Sequence, residues 1–220
     1  MFTGIVESVG ILKSLSKRGN GYEIVVETTD NFNLSQRVKL GDSIANNGVC
    51  LTVTKMSGNC FYADISAETV EHTCFSHYTR GQKINLELAC TPSTHLGGHI
   101  MQGHVDGVGE VVKKAALDDA INVWIRAPQE LLKYIAHKGS IAVDGVSLTV
   151  NEIEGDTFRL TLIPHTQDSI NFGNFEPGSR VNLEVDGLAR YMYRLFLQSN
   201  EEKKPAKSGI TMETLLKNGF

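Results

Sequence analysis

Apolar and polar residues alternate along this chain in short, β-branched runs separated by turn-forming residues. The first half offers YEIVVETT (22–29), SIANNGVCLTVTKM (43–56), CFYADIS (60–66) and KINLELA (83–89). The second half offers HVDGVGEVVKK (104–114), INVWIRA (121–127), SIAVDGVSLTVNEI (140–153), TFRLTLI (157–163) and RVNLEVD (180–186). The punctuation between them is RGNG, LGD, SGN, IEGD and EPGS, which is the grammar of strands and turns. Strands at this spacing without crossover helices predict an all-β protein of closed antiparallel barrels. Helices are few. QELLKYIAHKG (129–139) reads as a short one ending at Gly139. GLARYMYRLFLQSNEEKK (187–204) reads as an amphipathic one, with Leu188, Tyr191, Met192, Leu195 and Phe196 at helical spacing. The tail opens with helix breakers and then predicts a capped helix over residues 211–216.

The pattern is written twice. SIANNGVCLTV (43–53) and SIAVDGVSLTV (140–150) agree at eight of eleven positions, an offset of 97. The same offset pairs Phe61 with Phe158, Thr69 with Thr166, and GQKINLE with GSRVNLE. Near the start the offset is 99, pairing Gly4 with Gly103 and Val6 with Val105. Such collinear blocks mark a tandem duplication, and a period this long gives each copy its own small core. The expected division is 1–97, 98–186, and a segment 187–220 that belongs to neither copy. That last segment is read as an oligomerisation helix and tail, because its apolar face has no place in the repeat.

Charge and composition narrow the function. Of 220 residues, 41% are hydrophobic and the net charge is −4, so a soluble protein with a real core is expected and no nucleic-acid or anionic-membrane footprint stands out. The first residues lack the basic and apolar regions of a signal peptide. Cys50, Cys60, Cys74 and Cys90 form no CxxC pair and read as reduced thiols of a cytoplasmic protein. HLGGHIMQGH (95–104) holds three histidines, but the glycine pair spoils the helix that would gather them, and a metal site is not expected. No dinucleotide or ATP motif is present.

The differences between the copies are where chemistry is expected. Cys50 in the first stands where Ser147 stands in the second, and Thr52 and Thr149 lie two residues on, hence on the same strand face. Each copy therefore presents a thiol or hydroxyl beside a hydroxyl, a pair suited to a heterocycle with several donors and acceptors. A lone cysteine is more often a core-filling residue, but the serine in its copy points to a shared polar head rather than shared hydrophobicity. His104 occupies a repeat position held by Ile5 in the first copy, and an imidazole can move protons near neutral pH. Ala89 likewise faces Asp186.

Five blocks together resemble the riboflavin synthase family: MFTGIVE, NGVCLTV, GGHIMQGHVDG, KGSIAVDGVSLTV and LIPHT, spread in order over about residues 1–196. The resemblance implies two six-stranded Greek-key barrels and a C-terminal helix that builds a homotrimer. It implies one molecule of 6,7-dimethyl-8-ribityllumazine per barrel, with paired sites between the first barrel of one subunit and the second barrel of a neighbour. The implied reaction is a dismutation without metal or cofactor, in which one lumazine gives a four-carbon unit to the other. By the same resemblance His104 is the proton carrier, Cys50 and Ser147 orient or add to the rings, and Thr149 supports Ser147. Main chain from Gly4, Ile5 and Val6, and from Gly103, His104 and Val105, cradles the rings beside Cys50, Leu51, Thr52 and Ser147, Leu148, Thr149. Asp64, Ile65, Ser66, Ala67, Glu68 and Thr69 hold one ribityl chain. Ile163, Pro164, His165, Thr166, Gln167 and Asp168 hold the other. Ser43, Lys138 and, more weakly, Asp186 complete the set. Two departures are a histidine in IPHT where some relatives carry an acid, and a tail past about residue 200 that not all share. The rival reading is a related lumazine- or flavin-binding protein without turnover. An oligonucleotide-binding barrel is remote, since the chain is acidic and only 7% aromatic.

Overall fold

A computed structural model of the chain describes residues 1–202 and 212–219. The chain divides into two compact units, Met1–Gly187 and Leu188–Phe220.

In the first copy, six strands close into a barrel: β1 (Ser8–Arg18), β2 (Gly21–Glu27), β3 (Ser43–Asn46), β4 (Val49–Ser57), β5 (Cys60–Ser66) and β6 (Lys83–Leu88). Their order round the ring is β1-β2-β5-β4-β3-β6. Two short helices sit on it, α1 (Leu34–Arg37) and α2 (Ala67–His72). The second copy repeats the plan with β7 (Gly107–Leu117), β8 (Ala120–Arg126), β9 (Ser140–Val143), β10 (Val146–Thr149), β11 (Glu152–Glu154), β12 (Thr157–Leu162), α3 (Pro164–Ser169) and β13 (Arg180–Val185). Its sheet runs β10-β9-β13-β7-β8-β12-β11. The two end strands, β10 and β11, are the halves of one strand interrupted at Val150 and Asn151, in the place of β4. Strand order is thus the same in both copies, and the ring of the second is broken at one point.

Each barrel is filled by the inward residues of its strands. Ile24, Val26, Phe61, Ala63, Ile84 and Leu86 pack the first, and their repeat partners Val123, Ile125, Phe158, Leu160, Val181 and Leu183 pack the second. Phe61 and Phe158 are buried at the same place in each core, where truncation to alanine costs about 3–5 kcal/mol.

Two sequence expectations change. SIANNGVCLTVTKM is not one strand but a hairpin. Asn47 (φ 44°) and Gly48 (φ 83°) make its two-residue turn, and Asp144 (φ 45°) and Gly145 (φ 77°) do the same in the second copy. Asn-Gly and Asp-Gly are the residues such a turn demands, since both central positions are left-handed. Residues 129–139 form no α-helix. They wrap the second barrel with a single 3₁₀ turn, Leu132–Tyr134, and return to extended backbone at Ile135, so that Leu131 and Ile135 reach the core. β1 lacks clean alternation because a bulge between Leu12 and Ser14 shifts its register against β2.

The two hairpin tips meet. A Cβ on Gly48 would stand 2.9 Å from the Gly145 nitrogen, and one on Gly145 2.6 Å from that of Gly48, so only glycine allows the approach. Around them, buried polar groups bond in matched pairs. The backbone N–H of Asn85 donates to Asn47 Oδ1 (2.6 Å) and that of Asn182 to Asp144 Oδ1 (2.8 Å). The Asn85 amide donates across to the Asp144 carbonyl, and the Asn182 amide to the Asn47 carbonyl, each at 2.9 Å. Both barrels are locked together by a satisfied network, which low dielectric makes costly to disturb.

In the other unit, α4 (Gly187–Glu202) is the expected amphipathic helix, with Leu188, Tyr191, Met192, Leu195 and Phe196 all exposed. α5 (Met212–Lys217) falls where the tail helix was expected, while Thr211, Lys203 and Lys204 lie outside the described residues. No described helix is long and apolar enough to cross a membrane.

Candidate active site

Alternation along β4 buries Val49, Leu51 and Val53 in the barrel core and turns Cys50 and Thr52 outward. β10 does the same, burying Val146 and Leu148 and turning Ser147 and Thr149 out. The side chains of Leu51 and Leu148 therefore belong to the cores, and only their main chain faces the candidate site. Ser43 stands opposite Thr52 on the neighbouring strand.

At this end of each barrel the ladder parts. β4 pairs with β5 from Ser57 and Cys60 as far as Val53 and Ala63, yet β5 continues to Ser66 paired only to β2. In the second copy β12 continues to Leu162 beside β8, beyond its last pair with β11. An opening results in each barrel. Cys50 and Thr52 flank the first, with Asp64 and Ser66 on the far strand; Ser147 and Thr149 flank the second.

What completes each opening comes from the other copy. The N-terminal segment crosses to the second barrel, where the Gly4 carbonyl accepts from the Ser147 N–H at 2.8 Å and Val6 packs on the core. Residues 101–105 cross to the first barrel, where the Gly103 carbonyl accepts from the Cys50 N–H at 2.9 Å and Val105 packs on the core. An antiparallel bridge between Phe2 and Met101 joins the two where they pass. Gly4 (φ 77°) and Gly103 (φ 80°) are left-handed. A Cβ on Gly4 would stand 2.5 Å from that of Ser147, and one on Gly103 2.6 Å from that of Cys50. This exchange brings His104, encoded in the second copy, to the first barrel, and Ile5 to the second. Both side chains are exposed.

Beyond each opening runs a short helix. Ser66 caps α2, its Oγ accepting from the Thr69 N–H at 3.0 Å and lying 2.9 Å from Thr69 Oγ1. Asp64, Ser66 and Glu68 are exposed, Ala67 and Thr69 half-buried, and Ile65 is a core residue. In the second copy Ile163, Pro164, His165 and Asp168 are exposed and Thr166 and Gln167 half-buried, with the Gln167 amide donating to the Leu162 carbonyl at 2.8 Å. Lys138 is exposed and takes a left-handed backbone (φ 63°) where the first copy has Gly41 (φ 90°). Non-glycine residues adopt that conformation at a cost of roughly 1–2 kcal/mol. A cleft of about 820 Å³ also opens beside Ser43, bordered by Thr3, Ile5, Glu87 and Gly97.

His99, which the sequence offers only as a rejected metal ligand, stands against Ser147 at the second opening. His99 Nδ1 is 2.7 Å from Ser147 Oγ. Its Nε2 is buried with no partner among the described residues, and burial holds its pKa below the usual 6.5 against the pull of Asp186. A neutral imidazole at neutral pH can take the Ser147 proton or fix the hydroxyl's direction. Among the described residues, no three His, Cys, Asp or Glu side chains are grouped to hold a metal ion.

Residues 3–89 and 102–186 each match the model of the lumazine binding domain. A riboflavin synthase of Photobacterium phosphoreum is 48% identical over 100% of this chain and 99% of its own length. The chain belongs to the riboflavin synthase family. A riboflavin synthase of Photobacterium leiognathi is 43% identical over the same shares of both chains. The crystal structure of LumP complexed with 6,7-dimethyl-8-(1'-D-ribityl) lumazine matches with a TM-score of 0.76 at 29% identity, covering 85% of this chain and 100% of that one.

Within this riboflavin synthase fold, the sequence reading missed His99 and two buried glutamates, Glu87 and Glu184, that grip the exchanged segments. A signal for His99 was present in the glycine pair before it. A Cβ on Gly98 would fall 2.8 Å from Ser147 Oγ and 2.2 Å from the Thr3 carbonyl, so glycine there marks close passage of the chain rather than a broken helix.

Proposed function

We propose that the chain converts two molecules of 6,7-dimethyl-8-ribityllumazine into riboflavin and 5-amino-6-ribitylamino-pyrimidinedione. The observation that carries this reading is the doubled opening: each barrel keeps an outward polar pair, Cys50 with Thr52 and Ser147 with Thr149, across from a segment lent by the other copy. Two like sites suit two molecules of one substrate, and unlike polar heads suit a donor and an acceptor. The two lumazines contain between them every atom of both products, so the reaction itself consumes no oxidant or reductant, and no cofactor or metal is called for.

The acidic step is loss of a proton from the methyl group at ring position seven, whose anion delocalises over the pteridine. Orientation of two rings and a proton carrier then supply most of the catalysis. His104 carries the proton at the first site. Cys50 and Ser147 orient or add to the rings, Thr52 and Thr149 steady them, and His99 directs the Ser147 hydroxyl. The ribityl chains lie along Asp64, Ser66, Glu68 and Thr69 in one barrel and along residues 163–168 in the other, with Lys138 at the second site. The parts 1–97 and 98–186 serve as the two lumazine-binding barrels. Segment 187–220 serves assembly into a cytoplasmic homotrimer, the exposed apolar face of α4 being covered by another copy. Paired sites then form between the first barrel of one chain and the second barrel of its neighbour.

The alternative is a carrier that holds the chromophore without turnover, a reading favoured by the likeness to LumP in its lumazine complex. Identity of 48% along the whole chain to a riboflavin synthase weighs the other way. The test is incubation with 6,7-dimethyl-8-ribityllumazine alone, in buffer containing a chelator. Accumulation of riboflavin supports the enzyme; a shifted lumazine fluorescence without riboflavin refutes it and leaves the carrier.

A further inference from the structure

We propose that each substrate site is held in shape by a carboxylate of the opposite barrel: Glu184 positions residues 103–105 for the first site, and Glu87 positions residues 3–6 for the second. The inference rests on the site assignment made above and adds two positioning residues to it.

The geometry is the same on both sides. Glu87 on β6 accepts from the Thr3 N–H at 2.6 Å and hydroxyl at 2.7 Å with Oε1, and from the Gly4 N–H at 2.9 Å with Oε2. Glu184 on β13 accepts from the Gln102 N–H at 2.6 Å with Oε1 and from the Gly103 N–H at 3.0 Å with Oε2. The His104 N–H adds a further favourable interaction with Glu184. The grip is one peptide away from the site. Gly103, whose N–H Glu184 holds, gives its carbonyl to Cys50; Gly4, whose N–H Glu87 holds, gives its carbonyl to Ser147. Neither glycine has a side chain to anchor it, and both sit at a left-handed φ that leaves many alternatives. A two-pronged acceptor fixes such a segment as no apolar contact can.

A purely stabilising role fits less well. Both carboxyls are buried, 5% and 6% exposed, and burial lifts their pKa above the ordinary range in spite of the hydrogen bonds they receive. With the folded value raised, their contribution to stability is complete below the usual 4.5 and is lost as pH rises. Each carboxyl accepts at both oxygens far from water, and a buried acceptor of that kind costs the fold its desolvation. What it supplies in return is placement of the segment.

The test is a set of double-mutant cycles on riboflavin formation by the full chain. Glu184→Gln leaves one acceptor and turns an amide N–H toward a backbone N–H. It is expected to lower kcat by about 10-fold or more, with a smaller change in KM. Its effect should combine non-additively, by about fivefold, with Cys50→Ala, and additively within about twofold with Ser147→Ala. Glu87→Gln should show the mirror pattern. Hydrogen exchange should quicken in a peptide spanning 101–106 for the first variant and in one spanning 2–7 for the second. Should a glutamine variant fail to fold, the shorter Glu→Asp variants are run through the same cycles, with the same pattern expected at smaller size.

Coupling of Glu184→Gln to Ser147 instead of Cys50, or equally to both, overturns the crossed assignment while leaving the enzyme reading intact. A wild-type chain that makes no riboflavin overturns that reading instead, and the exchange measurement still decides whether the carboxylates hold the segments.

Discussion

Where the two barrels meet they match residue for residue, with Asn47, Gly48 and Asn85 of the first answered by Asp144, Gly145 and Asn182 of the second and the bonds between them equal to within a few tenths of an ångström. Where they open they differ. The first opening has Cys50, the left-handed Gly41, the capping Ser66 and the borrowed His104. The second has Ser147 bonded to His99, a left-handed Lys138, the exposed Ile163 and the borrowed Ile5. A shared joint keeps the openings in a fixed relation, while the polar groups at the openings differ from one copy to the other. Duplication thus yields two equivalent frames with unequal chemistry.

The sharpest way to break the comparison is at His104, whose partner in the other site is an isoleucine. His104→Gln should lower turnover about 100-fold, ~2.7 kcal/mol of barrel-specific proton transfer, with ligand affinity nearly unchanged. Wild-type rates would remove it from the chemistry. Next in size, the joint itself should be intolerant. Gly48→Ala places a Cβ against the Gly145 backbone at a positive φ and should cost about 2–3 kcal/mol in denaturant unfolding, with Gly145→Ala close behind. A loss in one and not the other would undo the equivalence of the frames.

Smaller effects sharpen the contrast between the openings. Cys50→Ala should slow turnover about 10-fold and Cys50→Ser less, since serine serves in the equivalent place; equal rates for both would make the thiol a packing group. His99→Gln should slow turnover by about fivefold, chiefly in kcat, if it directs the Ser147 hydroxyl. The same histidine gives the weakest signal. Its folded pKa lies below 6.5, so its stabilising share is complete above that value and is lost as pH falls through the lowered one. The thermal midpoint should drop by a few degrees more on acidification from pH 7 in the wild type than in His99→Gln. Glu87 and Glu184 act in the opposite sense nearer their own range, and the difference between the two proteins cancels them.

Much of this was legible in the sequence because strands repeat with period two and duplicated strands repeat twice. The barrels, the outward polar pairs and α4 all follow from local pattern. The hairpin turns were equally local, and Asn47 with Gly48 carried the signal. The exchange of segments was not legible, since residues 2–6 and 101–105 have no alternation of their own and their partners, Ser147 for Gly4 and Cys50 for Gly103, lie in the other copy. Glu87 and Glu184 were hidden for a related reason. β6 and β13 are buried on both faces, so a glutamate among apolar neighbours looks like the solvent side of a strand when it is in fact inside. His99 is hidden because its partner, the Ser147 hydroxyl, stands 48 residues away, where no local spacing marks the contact.

The most direct test of the account is a ligand count. Equilibrium dialysis of the slow His104→Gln chain against 6,7-dimethyl-8-ribityllumazine should reach two molecules per chain, falling toward one when Ser147 and Thr149 are also changed to alanine. Saturation at one molecule per chain in His104→Gln alone would contradict the claim that both barrels hold substrate.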